Sequence, residues 1–597
     1  MNKIKIALVK APDGEFFGNV INNKDVDPRT SYSYTKPLIS TALSLLYGFI
    51  EEYGGEHYDV IVKDFQIDEL LDSEDEYACP MKIKERIDSF FDTESYDAIG
   101  LSVMFSVNHE WADYISHLSK RKNPKATIIM GGGYPTTFPE KSLNKSKCDY
   151  VVVGEGEDTF LYLLNKIFGN KNKRFDKLFS DISGYLHRDI YGDIVTIPKT
   201  TFIDNLDLVP MPNWDVLRGK EYFSKNKEAS KISYYFPVLT TRGCPYLCTF
   251  CSVYQSDGRK MRCRSIEKII EEIDFYHDKY KFKNIYFTDD DANVNKKLFN
   301  NLLRELIKKN YDIQYEVYYV AINALTEETV RLMSELGMKK ILLPIETGSP
   351  RMQKIIRKNI SPERAMRAVG WAKKYGFDIS VNFMIGFPQE TMEDINLTLD
   401  LAREIKAHQT QIWLATPWEG TEMYDYAEAH NHLPKDGDGE MIRGYRDTEH
   451  FINVNFDYEE LRQLTYDLNI EINFIKHSML NEPKRYKELY RYWDYLRTGL
   501  SQHPILFICL GYLEHLMGDS LQCNEDYIYA IELLSNEKIS SVYEKYLKIY
   551  NSEPIIQHFN ETIALSNQGT GYTDTTAKTV AVNIQNNAFN PGTYGTE

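Results

Sequence analysis

Residues 240–254, TTRGCPYLCTFCSVY, place three of the chain's eight cysteines within eight positions. The stretch begins inside FPVLTTRG (236–243), the first of six apolar segments that alternate with helical segments. The other apolar segments, each predicted as a strand, are 284–290, 313–320, 339–348, 379–388 and 411–418. This alternation predicts a parallel sheet that curves into a partial (β/α)6 barrel. The cysteines therefore follow the carboxyl end of the first barrel strand, which is the end where barrel active sites lie.

Cys244, Cys248 and Cys251 are spaced so that three thiolates can hold one metal or one face of a cluster. A structural zinc site normally has four ligands in two close pairs. No second pair is visible here, because the next cysteine, Cys263, lies twelve residues further on. A disulfide is not expected in a chain that we predict to be cytoplasmic, where thiols stay reduced. Since iron–sulfur clusters normally take four cysteines, the pattern favours a cluster with one open iron position over zinc or unrelated cysteines.

CPYLCTFC (244–251) resembles the CxxxCxφC signature of radical S-adenosylmethionine (SAM) enzymes, with Phe250 at the aromatic position. The resemblance implies that Cys244, Cys248 and Cys251 are the catalytic metal ligands of a four-iron four-sulfur (4Fe–4S) cluster. It also implies that SAM binds the fourth iron and that an electron donor such as flavodoxin or ferredoxin reduces the cluster. Reductive cleavage of SAM would then release a 5′-deoxyadenosyl radical.

Later barrel segments resemble the SAM-binding motifs of the same family. TDDD stands where the family has GGE, which implies that Asp289 and Asp290 bind the methionine amino group. The alternative is that these aspartates cap the next helix. IETGSP resembles the ribose-binding segment, with Glu346 and Ser349 as its contacts, and NFMIGFPQET resembles the adenine-binding segment, which contains Gly386.

Residues 1 to about 165 also alternate strands with helices, which predicts a doubly wound, Rossmann-like α/β domain. Small or acidic residues at the predicted strand ends are Ser102, Gly132, Gly133, Gly154 and Glu155. This region resembles the cobalamin-binding domain of class B radical SAM enzymes, which implies that these five residues contact cobalamin. The alternative is a degenerate domain that binds no corrin.

The usual cobalamin signature DxHxxG is absent, since the first predicted strand is followed by KAPDGEFFG without a histidine. The histidines at positions 57, 109 and 117 lie elsewhere and are expected to be ordinary surface residues. We therefore predict that cobalamin is bound without a histidine as the lower ligand of cobalt.

The predicted organisation has five parts. Residues 1–165 form the Rossmann-like domain, 166–230 a linker, and 231–450 a partial barrel of the TIM type. Residues 451–563 are predicted as a helical C-terminal domain, and 564–597 as a tail of low order with one short strand, TVAVNI.

The chain carries 70 Lys and Arg against 87 Asp and Glu, a net charge of −17. This balance disfavours nonspecific binding to nucleic acid or to anionic membranes. The apolar run at the N-terminus is too short for a signal peptide, and no segment reaches the length of a spanning helix. We therefore predict a cytoplasmic protein with neither nucleic acid nor membrane as a partner.

The resemblance implies an enzyme that transfers a methyl group from methylcobalamin to an unactivated carbon of a small molecule, natural product or peptide. Radical rearrangement, oxidation or cyclisation of the substrate is the alternative. A tRNA methylthiotransferase is less favoured because it would need three further cysteines near the N-terminus, and only Cys79 and Cys148 precede residue 200. A non-catalytic sensor or electron carrier that uses the cluster and the corrin is the remaining alternative.

Overall fold

The computed structural model describes residues 3–13, 38–73, 78–105, 108–224, 235–317, 319–433, 455–497 and 500–567. Its first part is a seven-stranded sheet in the order β2-β1-β3-β4-β5-β6-β7. The strands are β1 (Ile4–Lys10), β2 (Tyr58–Lys63), β3 (Ala98–Ser102), β4 (Thr127–Gly131), β5 (Tyr150–Val152), β6 (Tyr185–Arg188) and β7 (Ile194–Ile197). β1 to β5 are parallel, which confirms the predicted doubly wound domain.

Helices cover this sheet because its central strands are apolar on both faces. In β3, for example, Ala98, Ile99 and Leu101 are all buried. The helices of this part are α1 (Thr41–Gly54), α2 (Phe65–Asp72), α3 (Pro80–Thr93), α4 (His109–Lys122), α5 (Gly133–Thr137), α6 (Pro139–Lys145), α7 (Glu157–Phe168), α8 (Lys173–Leu178) and α9 (Gly219–Ser224).

The prediction of a linker over 166–230 is wrong, because β6 and β7 lie within it and extend the first sheet. β6 pairs antiparallel with β5 and with β7. The two strands, YLHR and IVTI, are only four residues each, so their sequence lacks the long apolar runs of the parallel strands. The other domain boundaries stay predictions.

The second part is a partial barrel built from two three-stranded parallel sheets. One contains β8 (Phe236–Val238), β11 (Asn284–Phe287) and β12 (Gln314–Val317), and the other contains β13 (Lys340–Glu346), β14 (Asp378–Ile385) and β15 (Gln409–Leu414). These are the six predicted strands, so the partial (β/α)6 architecture is confirmed. A short antiparallel pair, β9 (Thr241–Arg242) and β10 (Arg262–Cys263), closes the cysteine loop at its base.

The barrel helices other than α10 begin at residues whose side chains accept hydrogen bonds from the first helical turn, such as Ser361 and Thr391. These caps satisfy backbone N–H groups that have no partner inside the helix. The helices are α10 (Val253–Asp257), α11 (Ile266–Tyr280), α12 (Lys296–Lys309), α13 (Glu327–Glu335), α14 (Pro350–Ile355), α15 (Pro362–Lys374), α16 (Met392–Ile405) and α17 (Glu422–Ala429).

The third part is helical, as predicted, and has its own apolar core around residues such as Trp493, Leu510 and Phe559. Its helices are α18 (Tyr458–Ile470), α19 (Tyr486–Leu496), α20 (Pro504–Met517), α21 (Ser520–Leu534), α22 (Glu537–Ile549) and α23 (Pro554–Asn567). The strand predicted within the tail lies outside the described residues. Among the described helices, none has both the length and the apolar character needed to cross a membrane.

The helical part covers the free edge of β15. The Asn473 side chain accepts from the Thr410 N–H at 2.9 Å and donates to the Thr410 carbonyl at 2.7 Å. Asn469 makes the same two contacts with Ile412. Two asparagine amides thus replace a neighbouring strand and protect an edge that would otherwise expose its backbone groups.

Candidate active site

The cysteine loop spans residues 243–261 between β9 and β10. Gly243 begins it with φ 87°, and a Cβ there would lie 2.5 Å from the Lys260 carbonyl oxygen, so only glycine fits. The Cys244 N–H donates to the Gly258 carbonyl at 3.2 Å, and the Cys251 N–H to the Cys248 carbonyl at 3.3 Å. These bonds fold the loop back on itself and bring the three cysteines to one side of the barrel mouth.

The three thiols are half-buried and close enough to affect one another. Burial, with a smaller contribution from the neighbouring Cys251, raises the pKa of Cys244 to about 12 and that of Cys248 to about 11. Burial also raises the pKa of Cys251. Cys263 lies on β10 instead, where Asn295 Nδ2 contacts its Sγ at 3.5 Å. Three thiols on one short loop, with Cys251 close enough to affect both others electrostatically, are the type of donor set that a cluster with one open iron position requires.

Four charged side chains surround the thiols, and together with the three cysteines we call them the thiol rim. They are Asp290, Asp291, Glu346 and Lys358. Asp291 Oδ2 lies 3.5 Å from Cys244 Sγ, and Glu346 Oε1 accepts from Lys358 Nζ at 3.1 Å. The rim therefore combines one ammonium group with three carboxylates beside the thiols.

Burial and mutual repulsion shift the pKa values of the rim. Burial, followed by the charges of nearby carboxylates, raises the pKa of Asp290 to about 7. Burial raises the pKa of Asp291 to about 6 against the attraction of Lys358. Burial alone would lower the pKa of Lys358, but Glu346, Cys248 and Asp291 outweigh it and raise that pKa above its ordinary value. Lys358 is therefore a permanent cation beside the thiols.

Asp289 anchors the cysteine loop, and its contact with the methionine amino group of SAM stays a prediction. It is buried, and its Oδ1 accepts four hydrogen bonds, from the N–H and the hydroxyl of both Thr240 and Thr241. These bonds anchor β9, the base of the cysteine loop, to the end of β11. Asp289 thus holds the loop in place, and the side chain that reaches a thiol is that of Asp291.

Ser349 and the residues around Gly386 form a second segment, which we call the capped turn: Ser349, Gly386, Phe387, Glu390 and Asp394. Ser349 Oγ is fully buried, accepts from the Met352 N–H at 3.2 Å and donates to Asp394 Oδ1 at 2.5 Å. The Ser349 hydroxyl therefore caps α14 in this structure, and its contact with ribose stays a prediction.

Glu390 organises the turn that contains Gly386. Its Oε2 accepts the N–H groups of Gly386 at 2.5 Å and of Phe387 at 3.2 Å. Gly386 has φ 88°, a conformation that favours glycine. Burial raises the pKa of Glu390 to about 8 against these two bonds. The backbone at Gly386 is thus shaped by a buried carboxyl group, and its contact with adenine stays a prediction.

Phe250 packs where the predicted motif requires an aromatic side chain. Its ring contacts the apolar cluster of Met352, Ile356 and Phe387, with the Phe387 ring centroid at 5.9 Å. Lys358 Nζ lies 5.9 Å from the centre of the Phe250 ring. Phe250 therefore supports both the cysteine loop and the cation of the thiol rim.

The glycines predicted to approach cobalamin are needed for packing inside the first sheet. A Cβ at Gly132 would lie 2.4 Å from the Val103 carbonyl oxygen, and one at Gly133 would lie 2.5 Å from that of Met104. Ser102 is half-buried at the end of β3. The close approach is therefore between two strand-end loops of the protein.

An exposed apolar surface lies at the same edge of the first sheet. Leu38, Met104 and Phe105 expose 54%, 47% and 54% of their surface, respectively. Exposed apolar side chains of this size often mark binding surfaces. This surface suits the apolar face of a corrin ring, and the contacts of Ser102, Gly132 and Gly133 with cobalamin stay predictions.

Gly154 and Glu155 face the barrel. A Cβ at Gly154 would lie 3.2 Å from the Ser256 carbonyl oxygen, which belongs to the cysteine loop. Both oxygens of Glu155 are bound by Arg262, at 2.7 and 2.5 Å. The Glu155 carboxylate therefore joins the two domains, and its contact with cobalamin stays a prediction.

The three histidines of the first domain lie in different surroundings. The His109 ring stacks on Tyr134 with centroids 5.6 Å apart, and His117 is exposed, with Nδ1 2.8 Å from the Asp113 carbonyl oxygen. His57 precedes β2, at the amino end of the sheet. The absence of a histidine ligand to cobalt stays a prediction.

Asp378, His408 and Glu488 are a group of metal-ligand type elsewhere in the described residues. His408 Nδ1 accepts from the Ile379 N–H at 2.9 Å, and its Nε2 faces both carboxylates. Arg485 Nη2 lies 2.8 Å from both Glu488 Oε1 and His408 Nε2. This group therefore joins the barrel to the helical part through contacts within the protein.

Sequence reasoning missed Asp291, Lys358, Arg242 and Arg262. Asp291 is the third of three consecutive aspartates, and no sequence pattern distinguishes the one that faces the thiols. The arginines do give a signal, since they stand at both ends of the cysteine loop, in TTRGC and RKMRC. Charges that flank a motif symmetrically are good candidates for the residues that hold it.

Two family models match the chain. The model described as the radical SAM superfamily matches residues 238–402, and the B12 binding domain matches residues 42–164. The first match contains all three loop cysteines and most of the barrel. The second contains most of the first sheet and its helices.

Three similar proteins extend these matches. An uncharacterised methyltransferase of Pyrococcus horikoshii is 31% identical over 338 residues, which cover 56% of this chain and 70% of that protein. Cytidylyl-2-hydroxyethylphosphonate methyltransferase of Streptomyces wedmorensis is 25% identical over 432 residues, covering 66% and 79%, respectively. The solved radical SAM methyltransferase TsrM of Kitasatospora setae, with cobalamin and a 4Fe–4S cluster bound, has a TM-score of 0.56 at 17% identity and covers 88% of this chain and 99% of its own. This last likeness extends the shared fold over most of the chain.

Proposed function

Because the chain belongs to the radical SAM superfamily and carries a B12-binding domain, we propose that it is a cobalamin-dependent methyltransferase. Its cofactors are a 4Fe–4S cluster, SAM and cobalamin. The acceptor is an unactivated carbon of a small molecule, natural product or peptide, and a protein of the flavodoxin or ferredoxin class supplies electrons. The methyltransferase names of two relatives support methyl transfer over rearrangement, oxidation or cyclisation.

The observation that carries the proposal is the thiol rim, where the three thiols of one folded loop lie beside charged groups of both signs. When bound, the cluster and cobalamin supply electron transfer to SAM and methyl-group transfer, respectively. Cys244, Cys248 and Cys251 would hold the cluster. Deprotonation of these half-buried thiols is unfavourable in the free protein, so metal binding would release their protons.

The charged groups of the rim suit the amino acid end of SAM, which carries an ammonium and a carboxylate. Lys358 would pair with the carboxylate, since it is the cation that faces the thiols. Asp290 and Asp291 would accept from the ammonium group. Phe250 would keep Lys358 in position, because the lysine extends over its ring.

Product analysis tests the proposal. The protein is reconstituted anaerobically with iron, sulfide and hydroxocobalamin, reduced, and incubated with SAM and candidate acceptors. We expect both 5′-deoxyadenosine and S-adenosylhomocysteine, together with a methylated product. Formation of 5′-deoxyadenosine alone would overturn methyl transfer, and a reduced protein that leaves SAM intact would indicate a non-catalytic role.

The cobalt ligand is tested separately. We propose that no histidine of this chain binds cobalt from below. The electron paramagnetic resonance (EPR) spectrum of the Co(II) form should then lack splitting from a nitrogen ligand. The appearance of such splitting, and its loss in His109→Ala, would overturn this part of the proposal.

A further inference from the structure

We propose that Glu155 and Glu157 of the first domain are positioning residues that fix the cysteine loop through Arg242 and Arg262. The proposal rests on the proposed function only in that the loop carries the cluster. In this proposal, the sequence GEGE (154–157) sets the distance between the cluster and the cobalamin domain.

The four side chains form a buried network between the two domains. Arg262 binds both oxygens of Glu155, at 2.7 and 2.5 Å. Arg242 binds Glu157 at 2.6 Å and reaches Glu155 at 3.6 Å. Exposed fractions are between 4% and 8% for all four residues. An arginine that meets a carboxylate through two parallel bonds fixes orientation as well as distance.

The network acts on both ends of the cysteine loop. Arg242 ends β9, two residues before Cys244, and Arg262 begins β10, so the two arginines face each other in the antiparallel pair. Arg262 also donates to the Asp257 carbonyl oxygen at 2.6 Å, inside the loop itself. A shift of Glu155 would therefore move the base and the body of the loop together.

The loop has a separate anchor on the barrel side. Asp289 holds Thr240 and Thr241 through four hydrogen bonds, and the Thr249 N–H donates to the Ile356 carbonyl at 3.1 Å. The barrel therefore fixes the loop relative to the SAM-binding strands. The glutamates fix it relative to the first domain, together with the Ile203 carbonyl, which accepts from Arg262 at 3.1 Å, and the exposed pair of Lys260 with Asp204 at 2.8 Å.

Burying these four charged side chains costs free energy, and the arrangement is explained by the geometry that it imposes on the loop. Burying charged pairs contributes little net stability, and apolar replacements are often equally stable. Catalysis, in contrast, is sensitive to misplacement, since an error of ~1 Å can cost roughly 100-fold in rate. A buried, two-sided ion-pair network is therefore better explained by positioning than by stability.

The test uses the full-length chain with Glu155→Gln, Glu157→Gln and both together. Glu328→Gln is the matched control, because Glu328 pairs with Arg304 in an exposed ion pair within the barrel. In the protein without cofactors, we expect backbone amide exchange across residues 243–261 to speed up at least about ten-fold in the double variant. Exchange in the first sheet should change less than about two-fold, and the control should match the wild type.

The reconstituted protein provides a second measurement. The magnetic interaction between the reduced cluster and Co(II) depends steeply on their separation, and we expect its EPR signature to change in the double variant while cluster and cobalamin contents remain those of the wild type. Wild-type exchange and wild-type magnetic interaction in the double variant would overturn the proposal, even if the melting temperature fell.

Two further outcomes distinguish a positioning role of the glutamates from a loss of folding and from a failure of the proposed function. If the double variant does not fold, Arg262→Lys replaces it, because lysine keeps the charge but loses the paired geometry. Exchange across 243–261 must then still increase, and unchanged exchange overturns the proposal. If the wild type binds no cobalamin, the proposed function fails, whereas the exchange measurement still decides whether the glutamates hold the loop.

Discussion

The thiol rim and the capped turn lie at the same mouth of the barrel and were both predicted to bind SAM, yet they differ in what their polar groups do. In the thiol rim, the side-chain contact of Cys244 Sγ is a long one, to Asp291 Oδ2 at 3.5 Å. In the capped turn, Ser349, Glu390 and Asp394 are bonded to backbone or side-chain groups of the protein.

The difference separates residues that offer a group to a ligand from residues that shape the place where the ligand lies. A side chain whose donors and acceptors are already used inside the protein has little left to bind with. Substitutions in the thiol rim should therefore change cofactor binding at nearly constant stability. Substitutions in the capped turn should change stability at nearly constant affinity.

Loss of the cysteines should have the largest effect. Alanine at Cys244, Cys248 and Cys251 together should abolish cluster absorbance and SAM cleavage, because no other donor set of this kind lies at the barrel mouth among the described residues. Cobalamin binding should persist, since the first domain is unchanged. Cys263→Ala is the control and should retain the cluster. SAM cleavage by the triple variant would show that the site is assigned wrongly.

The pH dependence of stability should be the next largest effect, and it should trace to Glu390. Its native pKa of about 8 lies above the ordinary value of 4.5, so the native state binds one more proton than the unfolded state between these values. The free energy of unfolding must therefore fall as pH rises through this window, by up to about 1.4 kcal/mol per pH unit.

Glu390→Gln keeps an acceptor for Gly386 and Phe387 but cannot ionise. The melting temperature of the variant, measured from about pH 6 to about pH 8, should therefore fall less with pH than that of the wild type. SAM affinity should stay within about two-fold. Parallel curves for the two proteins would show that Glu390 is ionised in the native state.

Lys358→Met should weaken SAM binding while leaving the protein folded. Methionine keeps an apolar stem over Phe250 but removes the cation, and the loss of a charged hydrogen bond of ~1.5–3 kcal/mol corresponds to roughly a 10- to 100-fold rise in the Kd. Calorimetry on the reconstituted protein measures this value. Lys354→Met, on the exposed side of α14, is the matched control. Equal affinities for both variants would remove Lys358 from the SAM site.

Local signals explain how much of the fold was predictable. The six barrel strands have strong apolar runs, and the helix starts at Ser361 and Thr391 have side chains that cap them, so both follow from short segments. The hairpin of β6 and β7 was missed because its four-residue strands carry too few apolar positions. The pairing of the hairpin with β5 depends on tertiary structure.

The candidate site was predictable only where the ligand atoms themselves form the motif. The three cysteines are adjacent in sequence and stay adjacent in the fold. Glu155 and Arg262 are 107 residues apart, and their pairing depends on how two domains dock. A glycine-rich strand end is equally ambiguous, because Gly132 permits a close approach by Val103 of the same protein just as well as by a cofactor.

Ser349→Ala should have the smallest effect, and it should distinguish the capped turn from the thiol rim most clearly. It removes the cap of α14 and one bond to Asp394, so we expect the melting temperature to fall by an amount that corresponds to about 1 kcal/mol. Ser349→Thr, which keeps the hydroxyl, is the conservative control. Because the Ser349 hydroxyl is already used by the Met352 N–H and by Asp394, the Kd for SAM should stay within about two-fold. A larger rise in Kd without loss of stability would mean that the hydroxyl turns toward the ligand, and that the capped turn belongs with the thiol rim.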